Sequence, residues 1–139
     1  MAKKPEITFE KWVEVFVQNV AEYFDLQSWS IKISHKDEDD GMTYAETHLN
    51  SVYLFADIIT FLPAKRDFEE GSYDKLAVAL THELVHFFLD PFHVFAQPHL
   101  SETTTPFFMN MLETQTQRLT QVIFKNLPEE LFPPRTANG

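Results

Sequence analysis

The feature that most constrains this chain is the run AVALTHELVHFFLDPFH, residues 77–93, in which two histidines and a glutamate sit among apolar side chains. Burying such groups without partners costs several kcal/mol, so a fold must give them a use. Three uses compete: satisfied polar groups in a core, a structural metal site, or a catalytic zinc site. The run is apolar on nearly every face between Tyr73 and Leu89, which predicts a helix buried in the middle of the domain. Ser72 or Asp74 is the expected N-cap and Pro91 the expected stop.

On a helix, residues four apart share a face one turn apart, so His82 and His86 present two imidazoles to the same point. Glu83 lies about 100° round the helix, beside that point rather than on it. HELVH is thus an HExxH motif: two zinc ligands and a carboxylate placed to take a proton from water. A catalytic zinc needs a third protein ligand and an open position. The pattern HExxHxxGxxH would supply it from glycine at 89 and histidine at 92, but the sequence has Leu89 and Phe92 there. Asp90 shares the histidines' face, but three ligands in line on one helix converge badly on one ion. His93 and Glu102 are loop alternatives. Glu113 is preferred, because it sits at the margin of the apolar stripe of the next expected helix, between Met109 and Thr116.

The rest of the chain reads as a small α+β domain. Residues 8–25 carry Phe9, Trp12, Val13, Phe16, Val17, Val20 and Phe24 at helical spacing, with charged residues opposite. SWSIKIS, residues 28–34, alternates like a half-buried strand. MTYAETHL and SVYLFADIITFLP read as two further strands, an antiparallel pair closed by Pro63. The acidic segment Asp37–Asp40 lacks the ligand spacing of an EF-hand and reads as a solvated turn. Residues 91–105 read as a long loop or lid, Thr105–Pro106 as a helix start, and residues 128–139 as a loosely ordered tail.

Composition narrows the function. The chain of 139 residues has no cysteine, so thiolate metal sites, disulfides and a cysteine nucleophile are excluded. A net charge of −10 argues against nucleic acid or an anionic membrane as partner. No segment has the pattern of a signal peptide or the length of a membrane span, and a cytoplasmic location is expected. One domain over residues 1–139 is expected.

HELVHFFLDPF followed by NMLETQTQRLTQVI resembles the gluzincin branch of the zincin metallopeptidases, and in size it is similar to the minigluzincins and to the ImmA/IrrE-type peptidases of phages and mobile elements. The resemblance spans roughly residues 28–126. It implies a zincin-like fold, a sheet of about three strands, antiparallel or mixed, packed on the HExxH helix between an N-terminal helix and a C-terminal glutamate helix. It also implies one Zn2+ per chain held by His82, His86 and Glu113, with Glu83 as general base in hydrolysis of a peptide or protein substrate. An edge strand above the metal, Tyr44–His48 or Tyr53–Asp57, would bind extended substrate. The segment of 26 residues between His86 and Glu113 is longer than in thermolysin-like members. For the oxyanion stabiliser the candidates are His93, His99 and Arg118. The alternative to a peptidase is a catalytically inactive zincin-like domain that binds another protein.

Overall fold

The computed structural model describes residues 7–134. Among them the chain forms four α-helices and a three-stranded mixed sheet: α1 Phe9–Tyr23, β1 Ser30–Lys36, β2 Ala45–Asn50, β3 Phe55–Phe61, α2 Leu62–Glu69, α3 Tyr73–Ala96 and α4 Thr105–Lys125. The strand order is β1-β3-β2, with β1 parallel and β2 antiparallel to β3. The α+β class, the mixed three-stranded sheet and the antiparallel pair agree with the sequence reading. The first and last strands in that order are free edges, and the edge beside the helices of interest is β2.

Helix α1 starts where Thr8 accepts from the Lys11 amide, 3.2 Å away. Its stripe is wholly buried from Phe9 to Val20, and Trp12 stacks on Phe16 with ring centroids 5.2 Å apart. It closes over one face of the sheet together with α3, whose Leu76, Leu80 and Leu84 are fully buried. The even-numbered residues of β3, Ala56, Ile58 and Thr60, point into this core, as the two-residue period requires.

Four expectations are corrected. Pro91 does not end the buried helix, which runs on to Ala96. A proline inside a helix forfeits one hydrogen bond and crowds the carbonyl four residues back, at about 3 kcal/mol. Contacts on either side offset that cost: Ser51 donates to the Asp90 carboxylate, and the His93 ring stacks on Phe108 with centroids 6.2 Å apart. The supposed long loop therefore shrinks to residues 100–104 between a short 3₁₀ turn, Gln97–His99, and α4. Pro63 does not close the third strand, which ends at Phe61; it occupies the first turn of α2, Leu62–Glu69, where its missing N–H is harmless. Thr105 is already helical, and the cap position falls to Thr104, whose hydroxyl instead accepts from the Ser101 amide at 2.9 Å.

The fourth correction concerns the tail. Leu131 and Phe132 pack on the core, Phe132 lying 5.3 Å from the Phe16 ring, and the Leu131 carbonyl accepts from the Asn19 amide at 3.0 Å. Residues 135–139, the remainder of that expected tail, lie outside the described residues. The acidic turn behaves as expected: Asp39 and Asp40 accept from backbone amides at Gly41, Met42 and Thr43, and Asp39 pairs with Arg66 at 2.6 Å. Gly41, at φ +79°, supplies the left-handed residue that this turn needs.

Because Leu84 is fully buried at the centre of α3, Leu84→Ala should lower the unfolding free energy by about 2–5 kcal/mol. Urea denaturation followed by circular dichroism measures it, and a loss under about 1 kcal/mol would remove α3 from the centre of the core.

Candidate metal centre

His82 and His86 project from one face of α3, their rings 4.8 Å apart and nearly perpendicular at 86°. Helix α4 returns antiparallel across this face and brings Glu113 to them. Its Oε1 lies 3.0 Å from Nε2 of His82, and its Oε2 lies 3.9 Å from Nε2 of His86. One ligand atom from each of the three residues falls within 4.8 Å of the others, and the group can hold a metal ion. Bonds of ~2.0 Å to a tetrahedral cation place neighbouring ligand atoms roughly 3.3 Å apart, close to the 3.0 Å between His82 and Glu113 and shorter than the 3.9 Å between His86 and Glu113. The donor set is two imidazoles and one carboxylate, with no thiolate anywhere in the chain.

What lets α4 come close is the small, polar face it turns to α3. Thr116 and Thr120 are buried there, their hydroxyls returned to the carbonyls of Leu112 and Thr116 at 2.8 and 2.6 Å. The apolar stripe expected on this helix contributes less than its pattern promises: Leu119 and Val122 are 40 % and 60 % exposed. Glu113 itself is half-exposed at the rim of a cleft, whereas the two histidines are largely enclosed.

Glu83 is separated from this group. It is buried, and it accepts a hydrogen bond from the Thr47 hydroxyl at 2.7 Å. Burial pushes its carboxyl up to about 7; the Thr47 hydrogen bond opposes the rise, and the neighbouring carboxylates of Glu113 and Glu46 add to it. For His86, burial lowers the pKa and the neighbouring His82 charge lowers it further, against the pull of Glu113 and Asp90. A neutral imidazole is the form that accepts a metal.

The three residues line a cleft of about 480 Å³ whose opposite wall is β2, residues 45–49, and whose far end holds Leu89, His93, Met109 and Leu112. A second hollow continues past them towards Tyr44, Asp67 and Asp74, sharing Ala45, Glu46, His82, Glu83 and Glu113 with the first. The cleft therefore passes the triad on both sides. Strand β2 is fixed along it at three points: the Tyr44 hydroxyl donates to Asp67 at 3.0 Å, Thr47 reaches Glu83, and Ser51 reaches Asp90. The Phe61 amide donates to the Tyr44 carbonyl. Bonded pairs alternate in an antiparallel ladder, so the amides and carbonyls of Ala45, Thr47 and Leu49 point away from β3, along the free edge.

Of the expected site residues, His82, His86 and Glu113 come together, and Glu83 lines the same cleft beside them. Asp90 is engaged by Ser51 and is not a ligand of the group. His93 lines the cleft, while Glu102, His99 and Arg118 do not line either hollow. Tyr44, Thr47 and Ser51 were missed as site residues. A hydroxyl on a strand carries no signal by itself, but the phase of β2 that turns Ala45, Thr47 and Leu49 to one face would have singled out Thr47.

No protein-family model matches the sequence, and comparison with curated proteins and with solved structures found no match. Among the described residues, no helix is long and apolar enough to cross a membrane.

The raised pKa of Glu83 has a sign that can be measured. In the metal-free protein the folded state holds this proton more tightly than the unfolded chain, so its contribution to stability is full below the unfolded pKa near 4.5 and is lost as pH rises through about 7. Glu83→Gln removes the titration. In EDTA the variant should match wild type near pH 4 and exceed it by of the order of 3 kcal/mol at pH 8, measured by urea unfolding. A gap that does not grow with pH would mean that Glu83 is not a buried acid in the metal-free fold.

Proposed function

We propose that the protein is a zinc-dependent peptidase with a zincin-like fold, of the small gluzincin kind. The observation that carries the reading is the separation of roles among four residues: His82, His86 and Glu113 converge on one point, and Glu83 stands beside that point, buried and held by Thr47. A purely structural metal site has no use for an ionisable carboxylate in that position. The resemblance noted from HExxH and the later glutamate supports the same reading. The connection of 26 residues between His86 and Glu113 also finds a physical reason, because it contains the extra turns of α3 beyond Pro91.

His82, His86 and Glu113 would hold one Zn2+. Zinc bound there would supply Lewis acidity towards water and towards a substrate carbonyl. Glu83 would receive a proton from water and return it to the leaving amine. Thr47 orients the carboxylate. The open amides and carbonyls of Ala45, Thr47 and Leu49 pair with the backbone of an extended peptide, adding a strand to β2 and laying the scissile bond across the cleft. Of the two strand segments considered for this role, Tyr44–His48 is the one that overlaps the edge strand beside the triad.

Two measurements test the reading. Zinc per chain, by atomic emission after dialysis, should be close to one in wild type and should fall by at least tenfold in affinity in Glu113→Ala; equal stoichiometry and affinity would reject Glu113 as a ligand. Zinc-loaded wild type should cleave an unfolded protein or a peptide library, and Glu83→Gln should keep its zinc but lose at least a hundredfold in rate. Equal cleavage by both would reject the assigned mechanism. A zinc-loaded protein that cleaves nothing in the library and captures an extended peptide instead would favour the binding-module alternative.

A further inference from the structure

The α3–α4 pair has two long sides. One is the cleft. On the other, Phe88, Phe92 and Phe95 follow one another at four and three residues along α3, about 130° from the face of His82 and His86. On α4, Met111, Leu119 and Val122 occupy the flank opposite Glu113. The two helices are antiparallel neighbours, so both stripes fall on the same side of the pair. None of these six side chains is buried: their exposures run from 40 % for Leu119 through 63 % for Phe92 to 79 % for Phe95.

We infer that this face is a homodimer interface, in which two copies of the α3–α4 pair pack as a four-helix layer about a two-fold axis. Three observations favour a second copy of the chain. The first is area. From their exposures, the six side chains leave roughly 600 Å² of surface open, the upper end of what a monomer carries as one apolar patch. An interface of standard size takes about 800 Å² from each partner, of which about 60 % is non-polar, so the patch alone supplies the apolar part. The second is charge. Each chain carries −10, and two copies repel wherever carboxylates meet. The six residues of the patch, and Gln115 and Arg118 between them on α4, bring no carboxylate to it: Asp90 is turned to Ser51 and Glu113 to the histidines. The third is spacing. Phe88, Phe92 and Phe95 step by four and three, the repeat that lets helices of one bundle mesh at about 20°, and on α4 the polar Gln115 and Arg118 lie between Met111 and Val122. An interface on this side leaves the cleft and the β2 edge open, so the inference does not depend on the peptidase reading.

Sedimentation equilibrium of the full chain over micromolar concentrations tests it. Wild type should weigh twice the 16.2 kDa of the chain. Phe92→Asp and Met111→Asp, both at exposed positions and so expected to fold, should weigh 16.2 kDa. Tyr53→Asp, an equally apolar and exposed site on the β2–β3 turn, should leave the dimer intact. The absence of native cysteine gives a second measurement that needs no disruptive substitution: Gln115→Cys, within the α4 stripe, should cross-link to a covalent dimer on oxidation, and Tyr53→Cys should not. Monomeric wild type, a dimer that survives both aspartate substitutions, or equal cross-linking at the two cysteine positions would overturn the inference.

Discussion

The structure depends on how closely α4 can approach α3. His82 and His86 are set one turn apart by the helix that carries them, but they form two corners of a metal site only when a carboxylate arrives from elsewhere. Glu113 arrives because α4 turns threonines rather than bulky side chains to its neighbour, and their hydroxyls are satisfied within their own helix at Leu112 and Thr116. Larger residues at 116 and 120 would push α4 outward and take the carboxylate away from the imidazoles, now 3.0 and 3.9 Å distant.

The same helix pair explains why the general-base candidate and the ligand group remain distinct. Glu83 sits 100° round α3, towards the sheet, where burial and the Thr47 hydroxyl act on it in opposite directions. Thr47 belongs to the edge strand that lines the cleft, so a single residue joins the edge that would receive a peptide to the carboxyl that would serve it. Tyr44 and Ser51 fasten that strand at either end to α2 and α3. Fixing it in this way means that its free edge can be presented with little further loss of conformational freedom. On the opposite side of the helix pair, the exposed aromatic stripe has no part in this arrangement, and pairing of two copies there leaves the cleft facing solvent.

Local periodicity made most of the fold legible in the sequence. The stripe of α1, the alternation of β1 and the apolar run of α3 each follow from contacts that repeat every three to four residues or every two. The HExxH residues were legible because helix geometry alone brings them together. Prolines misled where they have two meanings: Pro63 was read as the end of a strand but begins a helix, and Pro91 was read as a stop although tertiary contacts at Asp90 and His93 carry the helix past it. The tail packs through Leu131 and Phe132 against Phe16, a pairing across more than a hundred residues that no local pattern encodes. Thr47 and Ser51 stayed hidden for the same reason. Glu113 lies between these cases: its position on α4 suggested a turn towards α3, but only the antiparallel packing brings it within reach of both imidazoles.

X-ray absorption at the zinc edge of the zinc-loaded protein tests the central claim most directly. Two histidines and one glutamate should give a first shell of light atoms alone at about 2.0–2.1 Å, with the outer-shell scattering of two imidazole rings, and Glu113→Ala should alter the shell while leaving both rings in place. A spectrum with one imidazole or none, or a shell that Glu113→Ala leaves unchanged, would contradict the account.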